Sequence, residues 1–415
     1  YDGSSIFAPE NRYGFFPSAS AAWIISKEDF FSSKAIDHLK LRASIGQIGN
    51  NRVSGSYFSN ISFGSYYFGA GDIVGSTAAE GGTPFRDLKW ETTTTTNFGV
   101  DFSVKNGVIA GSLDIYNKKT DDILLGSPVP GTVGTFRSGP AINAGSVKNN
   151  GVELVLSHNN TLSNGLRYGV SFNATYNNNE ITELTDAFSE FSTSYRVGDE
   201  LGTVYGYEAD GLLTSQGEVD AYKAAITSGI SGSTSMGDIK YVDQNGDNKL
   251  DFEDRVAIAE TLPKITFGIN FNADWKNFDF QMFFQGTGKA KEHKINDLFG
   301  NYSWIPEEAS DAWSTSNTDG TYPRLFLFGQ QTYNQNFGTT SSFWTFKSSY
   351  LRLKNLQLGY TIPIKENNYI NKARIYFAGT NLLTASDFRP GFDPESQGLD
   401  IPPLKTFSLG VNINF

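Results

Sequence analysis

The chain has 415 residues, 39% hydrophobic and 14% aromatic, with 43 glycines, no cysteine and a formal net charge of −11. The missing cysteine excludes disulfide staples, thiolate metal sites and a cysteine nucleophile, and the acidic balance argues against a nucleic-acid partner. The longest unbroken apolar run, Ala21–Ile25, falls far short of the ~18 residues a spanning helix needs, yet a β-barrel needs apolar side chains only at alternate positions.

From the start, Tyr1-Asp2-Gly3-Ser4 shows neither the basic start nor the apolar core of a secretory leader. Aromatic residues in 11–18 precede an extended segment at 19–26, as an interfacial girdle requires. Leu39, Leu41, Ala43 and Ile45 then share one face of a strand. A Gly/Ser/Tyr-rich stretch, 49–90, reads as a partly ordered loop or a hairpin with long ends. Residues 91–105 and 108–117 form two strands around Asn106-Gly107, a turn whose residues tolerate positive φ. A second pair, 151–157 and 166–177, flanks Asn164-Gly165.

Residues 178–263 hold no long alternating run, but Ser215 and Glu218 form a capping box ahead of a short helix. The clearest hairpin follows. Ile265, Phe267, Ile269, Phe271, Ala273 and Trp275 share a face, and Phe278, Phe280, Met282 and Phe284 lead back after Lys276-Asn277. A polar-aromatic loop spans 288–346. In 350–360 the apolar phase switches near Lys354-Asn355, the mark of a β-bulge. Residues 373–382 and 404–415 complete a set of about eleven or twelve strands. In the last, Phe407, Leu409, Val411, Ile413 and Phe415 alternate with Ser408, Gly410, Asn412 and Asn414.

Long strands with one greasy and one Asn/Ser/Thr/Gly-rich face, joined alternately by tight turns and loops of dozens of residues, predict an all-β fold. The expected architecture is an antiparallel transmembrane β-barrel with long extracellular loops at about 49–90, 178–263 and 288–346. A soluble sandwich would need its apolar faces to meet across a core, with loops of similar length at both ends.

One local motif carries sharp chemistry. Residues 243–254 read D-x-N-x-D-x-K-x-D-x-x-D. Calcium takes six to eight oxygens, and a loop of the EF-hand kind supplies them at positions 1, 3, 5, 7, 9 and 12. Those positions are Asp243, Asn245, Asp247, the Lys249 carbonyl, Asp251 and Asp254. The last ligand is Asp rather than Glu, which favours weaker binding. Asn248 replaces the usual glycine, a mild change because Asn tolerates the left-handed region. A solvated acidic turn is the plainer alternative. Elsewhere, His38, His158 and His293 lie far apart in sequence, and Gly286-x-Gly288 lacks the third glycine of a phosphate loop. Trp304, Trp313, Tyr322 and Trp344 suit stacking on a sugar or clasping a peptide, and equally suit packing the loop on itself. No catalytic constellation is present, so an enzyme is not expected.

Several segments in order resemble the SusC/RagA family of TonB-dependent transporters of Bacteroidetes outer membranes. They include L-K-L-R-A-S-I-G-Q-I-G-N (39–50), W-E-T-T-T-T-T-N-F-G-V-D-F (90–102), G-D-I-K-Y-V-D-Q-N-G-D (237–247), S-Y-L-R-L-K-N-L-Q-L-G-Y (349–360) and G-T-N-L-L-T (379–384). The resemblance implies the C-terminal portion of a 22-stranded barrel closed by an N-terminal plug. It also implies a TonB-binding segment ahead of the plug, a SusD-like lipoprotein over the mouth, import of glycans or oligopeptides, and a calcium ion in the acidic loop. The plug, the TonB-binding segment and the other strands are expected to lie outside these residues, although a smaller self-closing pore is an alternative. The functional rival is a non-transporting barrel with a structural or secretion-associated role in a larger assembly.

Overall fold

The computed structural model describes residues 1–52, 61–68, 73–80, 87–126, 141–186, 195–229, 233–293, 309–325, 334–364, 370–389, 392–396 and 402–415. Eleven strands make one antiparallel sheet. They are β1 (Ser18–Ile24), β2 (Ile36–Asn50), β3 (Glu91–Val104), β4 (Ile109–Asp121), β5 (Gly145–Thr161), β6 (Arg167–Leu184), β7 (Ile265–Trp275), β8 (Phe278–Gly288), β9 (Tyr350–Ile362), β10 (Lys372–Ser386) and β11 (Thr406–Asn414). Each pairs only with its neighbours in the chain, so the sheet is an up-and-down meander. Its edges, β1 and β11, do not pair with each other, so these strands do not close as a smaller pore.

Register converts the sequence alternation into two continuous surfaces. Trp23, Leu41, Val100, Leu113, Leu154, Ala174, Phe267, Gly286, Leu351 and Ala385 stand opposite one another in one rung across ten strands. The next rung, on the other face, runs Arg42, Gly99, Asp114, Glu153, Thr175, Thr266, Thr287 and Tyr350. Among the described residues no second sheet covers the apolar face: Phe98 and Leu409 remain 62% and 82% exposed. A soluble sandwich would bury these side chains. A lipid solvent accounts for them.

The phase switch in β9 is a bulge. Phe283 faces Asn355 and Phe284 faces Leu353, leaving Lys354 as the extra residue. The strands predicted at 151–157 and 166–177 are longer than the alternation suggested. β5 and β6 pair from Thr161↔Arg167 to Gly145↔Leu184, across rungs of Asn, Lys and Glu, with one register shift between Ser146 and Val147. Above the apolar band the ladder persists while the greasy period disappears, and Val147, Asn179 and Ile181 are buried, with Gly198 N donating to Ile181 O and Leu201 N to Asn179 Oδ1 from the connection after β6.

Connections after odd strands are shorter, from two residues at 276–277 to eleven at 25–35. Asn106 and Gly107 have φ of 57° and 82°, the pair of left-handed residues a type I′ turn needs. Connections after even strands are long: 51–90, 122–144, 185–264, 289–349 and 387–405. In a meander all five leave the same end of the sheet. The first contains the hairpin Ile61–Phe68/Ile73–Glu80; the third and fourth pack together into a cap.

The face assignment has a direct test. Phe172→Arg, on the apolar face of β6, should cost about 2–4 kcal/mol of stability in lipid, if it lies near mid-bilayer, whereas Asn173→Arg, one residue on, should cost under about 1. Urea unfolding from liposomes measures both, and equal penalties would contradict the assignment.

Candidate functional site

The cap begins with α1 (Gln216–Ala225). Ser215 Oγ accepts from Glu218 N, and the Glu218 carboxylate accepts from Ser215 N and Thr214 N, so both arms of the capping box form. Those backbone donors hold the Glu218 carboxyl below its ordinary range. The inward side of α1 presents Val219 and Tyr222 to Leu213, Ile226, Ile239, Tyr241 and Leu250, and the connection 289–349 adds Phe337 and Trp344 to the same core. Tyr222 Oη donates to Tyr241 O (3.2 Å) and accepts from Tyr241 N (3.1 Å), while burial pushes its phenol up to about 12.

Polar groups fix the two connections to each other. Asp238, wholly buried, receives Arg324 Nε and Nη2 and Asn336 Nδ2. Asn336 Oδ1 in turn accepts from Ile239 N (2.9 Å). A buried carboxylate is tolerated only when its oxygens are paired, and here each has a donor.

Trp313, Tyr322 and Trp344 are brought together in this cap. Trp313 N donates to Tyr322 O (2.8 Å), and the Tyr322 and Trp344 ring centres lie 6.3 Å apart. Trp344 is 1% exposed and donates from Nε1 to Asn336 O (2.7 Å). Trp313 is also buried, lying so close over Gly237 (φ +85°) that a Cβ would come within 2.4 Å of the ring. Half-buried Tyr322 is therefore the member of the trio nearest solvent. Trp304 lies outside the described residues.

The acidic loop folds around its own amides. Asp243 accepts from Gly246 N and Asn248 N, Asn245 Oδ1 from Asp247 N, Asp247 Oδ1 from Lys249 N, and Asp251 Oδ1 from Glu253 N. Asp254 is fully buried and braces the loop by accepting from Gln244 N and Asp251 N. Asn248 has φ of 63°, the left-handed turn its position demands. Among the described residues no three carboxylate or imidazole groups converge closely enough to hold a metal. The donor chemistry suits a hard cation, since each carboxylate oxygen keeps a second lone pair, but ligation requires these side chains to draw inward.

Below the cap, ion pairs staple the polar wall. Arg42 on β2 bonds Asp101 on β3 (2.8 and 2.9 Å) and Asp114 on β4 (2.8 Å), and Arg374 on β10 pairs with Asp279 on β8. Gly99 leaves room for this cluster: a Cβ there would lie 2.5–2.7 Å from Asp114 and Arg42. Sequence reading missed these partners, because a charge in the polar phase of a strand shows where it points but not what it meets.

The three histidines stay apart. His158 Nε2 sits 3.0 Å from Tyr168 Oη on β6, and His38 belongs to β2. His293 lies at the rim of the cap, in a short strand paired with 345–347, and its Nε2 accepts from Ser341 N (3.3 Å). Burial lowers its pKa to about 4. Gly286 lies within β8 beneath the Phe267 ring, not in a phosphate-binding loop.

Residues 1–382 match the family model described as TonB dependent receptor-like, beta-barrel. The chain is 30% identical over 450 residues to TonB-dependent receptor P3 of Formosa agariphila, covering 100% of this chain and 43% of that protein. Against TonB-dependent receptor SusC of Bacteroides thetaiotaomicron the identity is 30% over 442 residues, covering 100% and 41%. The fold superposes on the structure of the RagAB peptide transporter with a TM-score of 0.77 and 25% identity, covering 100% of this chain and 45% of the other. This chain thus spans less than half the length of each.

The His293 environment generates a pH dependence. A folded pKa near 4 against about 6.5 unfolded means that the unfolded state binds the proton first as pH falls, so cap stability drops between about pH 6.5 and 4. Partial exposure keeps the loss to about 1–3 kcal/mol. Cap unfolding followed by tryptophan fluorescence should show this slope, and His293→Gln should flatten it; an unchanged slope in the variant would assign it elsewhere.

Proposed function

Because this chain belongs to the TonB-dependent receptor-like β-barrel family of outer-membrane proteins, we propose that it forms wall and cap of an active importer. The substrate class is glycans or oligopeptides, delivered by a SusD-like surface lipoprotein seated over the cap. TonB supplies the driving force through a plug contributed by residues outside this chain. The observation that carries this reading is the asymmetry of the sheet. The five longest connections leave one end and two of them build a folded cap, while at the other end no connection exceeds the eleven residues of 25–35. A wall alone would need tight turns at both ends.

On this reading the polar face lines the passage, and its Asn, Ser, Thr and ion-paired side chains offer hydrogen bonds to a hydrated solute without strongly retaining it. Tyr322 stacks on a sugar ring or peptide side chain at the cap, over the firm base formed by Trp313 and Trp344, and Trp304 belongs to the same loop. The open edges of β1 and β11 pair with further strands, since unpaired backbone groups in lipid cost several kcal/mol each. Calcium, held by Asp243, Asn245, Asp247, the Lys249 carbonyl, Asp251 and Asp254, stiffens the cap and performs no chemistry.

Two measurements test this reading. Deleting the gene should abolish uptake of either labelled oligosaccharides or labelled oligopeptides, and affinity purification of the intact protein should retain a surface lipoprotein. Unchanged uptake of both classes would favour the non-transporting barrel. For the acidic loop, equilibrium dialysis should show calcium retained at millimolar free ion, with affinity lowered at least tenfold by Asp243→Asn/Asp247→Asn; no retention by the unaltered protein would refute the calcium site.

A further inference from the structure

The connection between β10 and β11 reaches both the wall and the cap. On the wall, Arg352 points from the polar face of β9 and is 1% exposed. Its Nη1 lies 2.5 Å from Glu395 Oε2, its Nη2 2.5 Å from Asp393 Oδ2, and its Nε donates to Thr384 Oγ1 on β10 (3.1 Å). Tyr350 Oη donates to Glu395 Oε1 (2.5 Å), Gln285 Nε2 on β8 donates to the same atom (3.3 Å), and Lys354 Nζ stands 3.3 Å from Oε2. Asp393 Oδ1 accepts from Glu395 N (2.9 Å), which sets the two carboxylates as a fork for one guanidinium. The residue extruded by the β9 bulge, Lys354, is one of the donors.

A few residues earlier the same connection grips the cap. Arg389, also 1% exposed, places its guanidinium 5.2 Å from the Trp344 ring centre, 5.7 Å from Phe346 and 5.0 Å from Phe392. Phe388 packs edge-on against Phe346 at 6.2 Å. Trp344 is the cap residue that touches Phe337, Phe343 and Tyr322. One guanidinium therefore sits in carboxylates at the wall and another among aromatic rings at the centre of the cap, and Arg389 lies four and six positions before the carboxylates that hold Arg352.

Buried ion pairs add little net stability compared with apolar packing of the same shape, but they penalise every misplaced arrangement, because one lost partner strands a charge. Such an anchor suits a part that must take one position. We propose that residues 387–389 and 392–396 act as a strap coupling the cap to the barrel wall. Arg352 is a positioning residue that sets the place of Trp344 through Glu395, Asp393 and Arg389, without touching it. The linkage is independent of which solute is carried.

Hydrogen exchange on the intact protein in detergent tests the strap. Glu395→Gln keeps the side-chain shape and leaves β9 unaltered, so the fold is retained. It should speed exchange at least tenfold in 392–396 and in 334–346, with β4–β6 unchanged. Arg389→Met should loosen 334–346 to the same degree. Because the two act in series, the double variant should add nothing further in 334–346. Loosening confined to 392–396 would overturn the coupling. So would additive effects of the two substitutions, or a loss of protection throughout β8–β10.

Discussion

In lipid a backbone N–H or C=O without a partner costs several kcal/mol, because no water is present to replace it. That constraint explains why the strands pair in long ladders. It also explains why the bulge at Lys354 displaces a single residue while pairing resumes on either side. Once the ladder satisfies the backbone, side chains need only match their solvent. Phe98, Leu113, Ile115 and Leu409 on one face and Arg42, Asp114 and Thr175 on the other are the outcome. The apolar wall supports residence in the membrane.

The cap obeys different physics. It lies outside the bilayer, so it has its own apolar core around α1, Tyr241 and Trp344. Irregular backbone is permitted there provided buried polar groups find partners. Asp238 with Arg324 and Asn336, and Tyr222 with Tyr241, supply them. Backbone and side-chain bonds of this kind specify one arrangement of two connections that are separated in sequence by two barrel strands.

Most of the sheet was legible in the sequence, because a period of two is imposed locally and cannot be disguised. The hairpin at 265–288, the bulge near Lys354, the Asn106-Gly107 turn and the capping box at Ser215 all follow from residues adjacent in the chain. What escaped depends on distant partners. The extension of β5 and β6 to Gly145 and Leu184 carries no apolar alternation, because there the connection after β6, not lipid, covers Val147 and Ile181. The cap core joins Leu213 to Trp344, and Arg352 meets Asp393 and Glu395, pairings that no spacing announces. Four aromatic residues in the second long loop suited either stacking on a ligand or packing the loop on itself. Burial shows that Trp313 and Trp344 serve the interior of the cap, a distinction that composition cannot make.

These 415 residues contain no cysteine, which makes one measurement clean within them. Single cysteines placed along β6 at 170–175, in membranes, should alternate. Val170→Cys, Phe172→Cys and Ala174→Cys should be quenched by lipid-borne probes and ignored by water-soluble thiol reagents, and Ser171→Cys, Asn173→Cys and Thr175→Cys should show the reverse. Uniform protection of all six, as in a core closed between two sheets, would contradict membrane residence and the transport that depends on it.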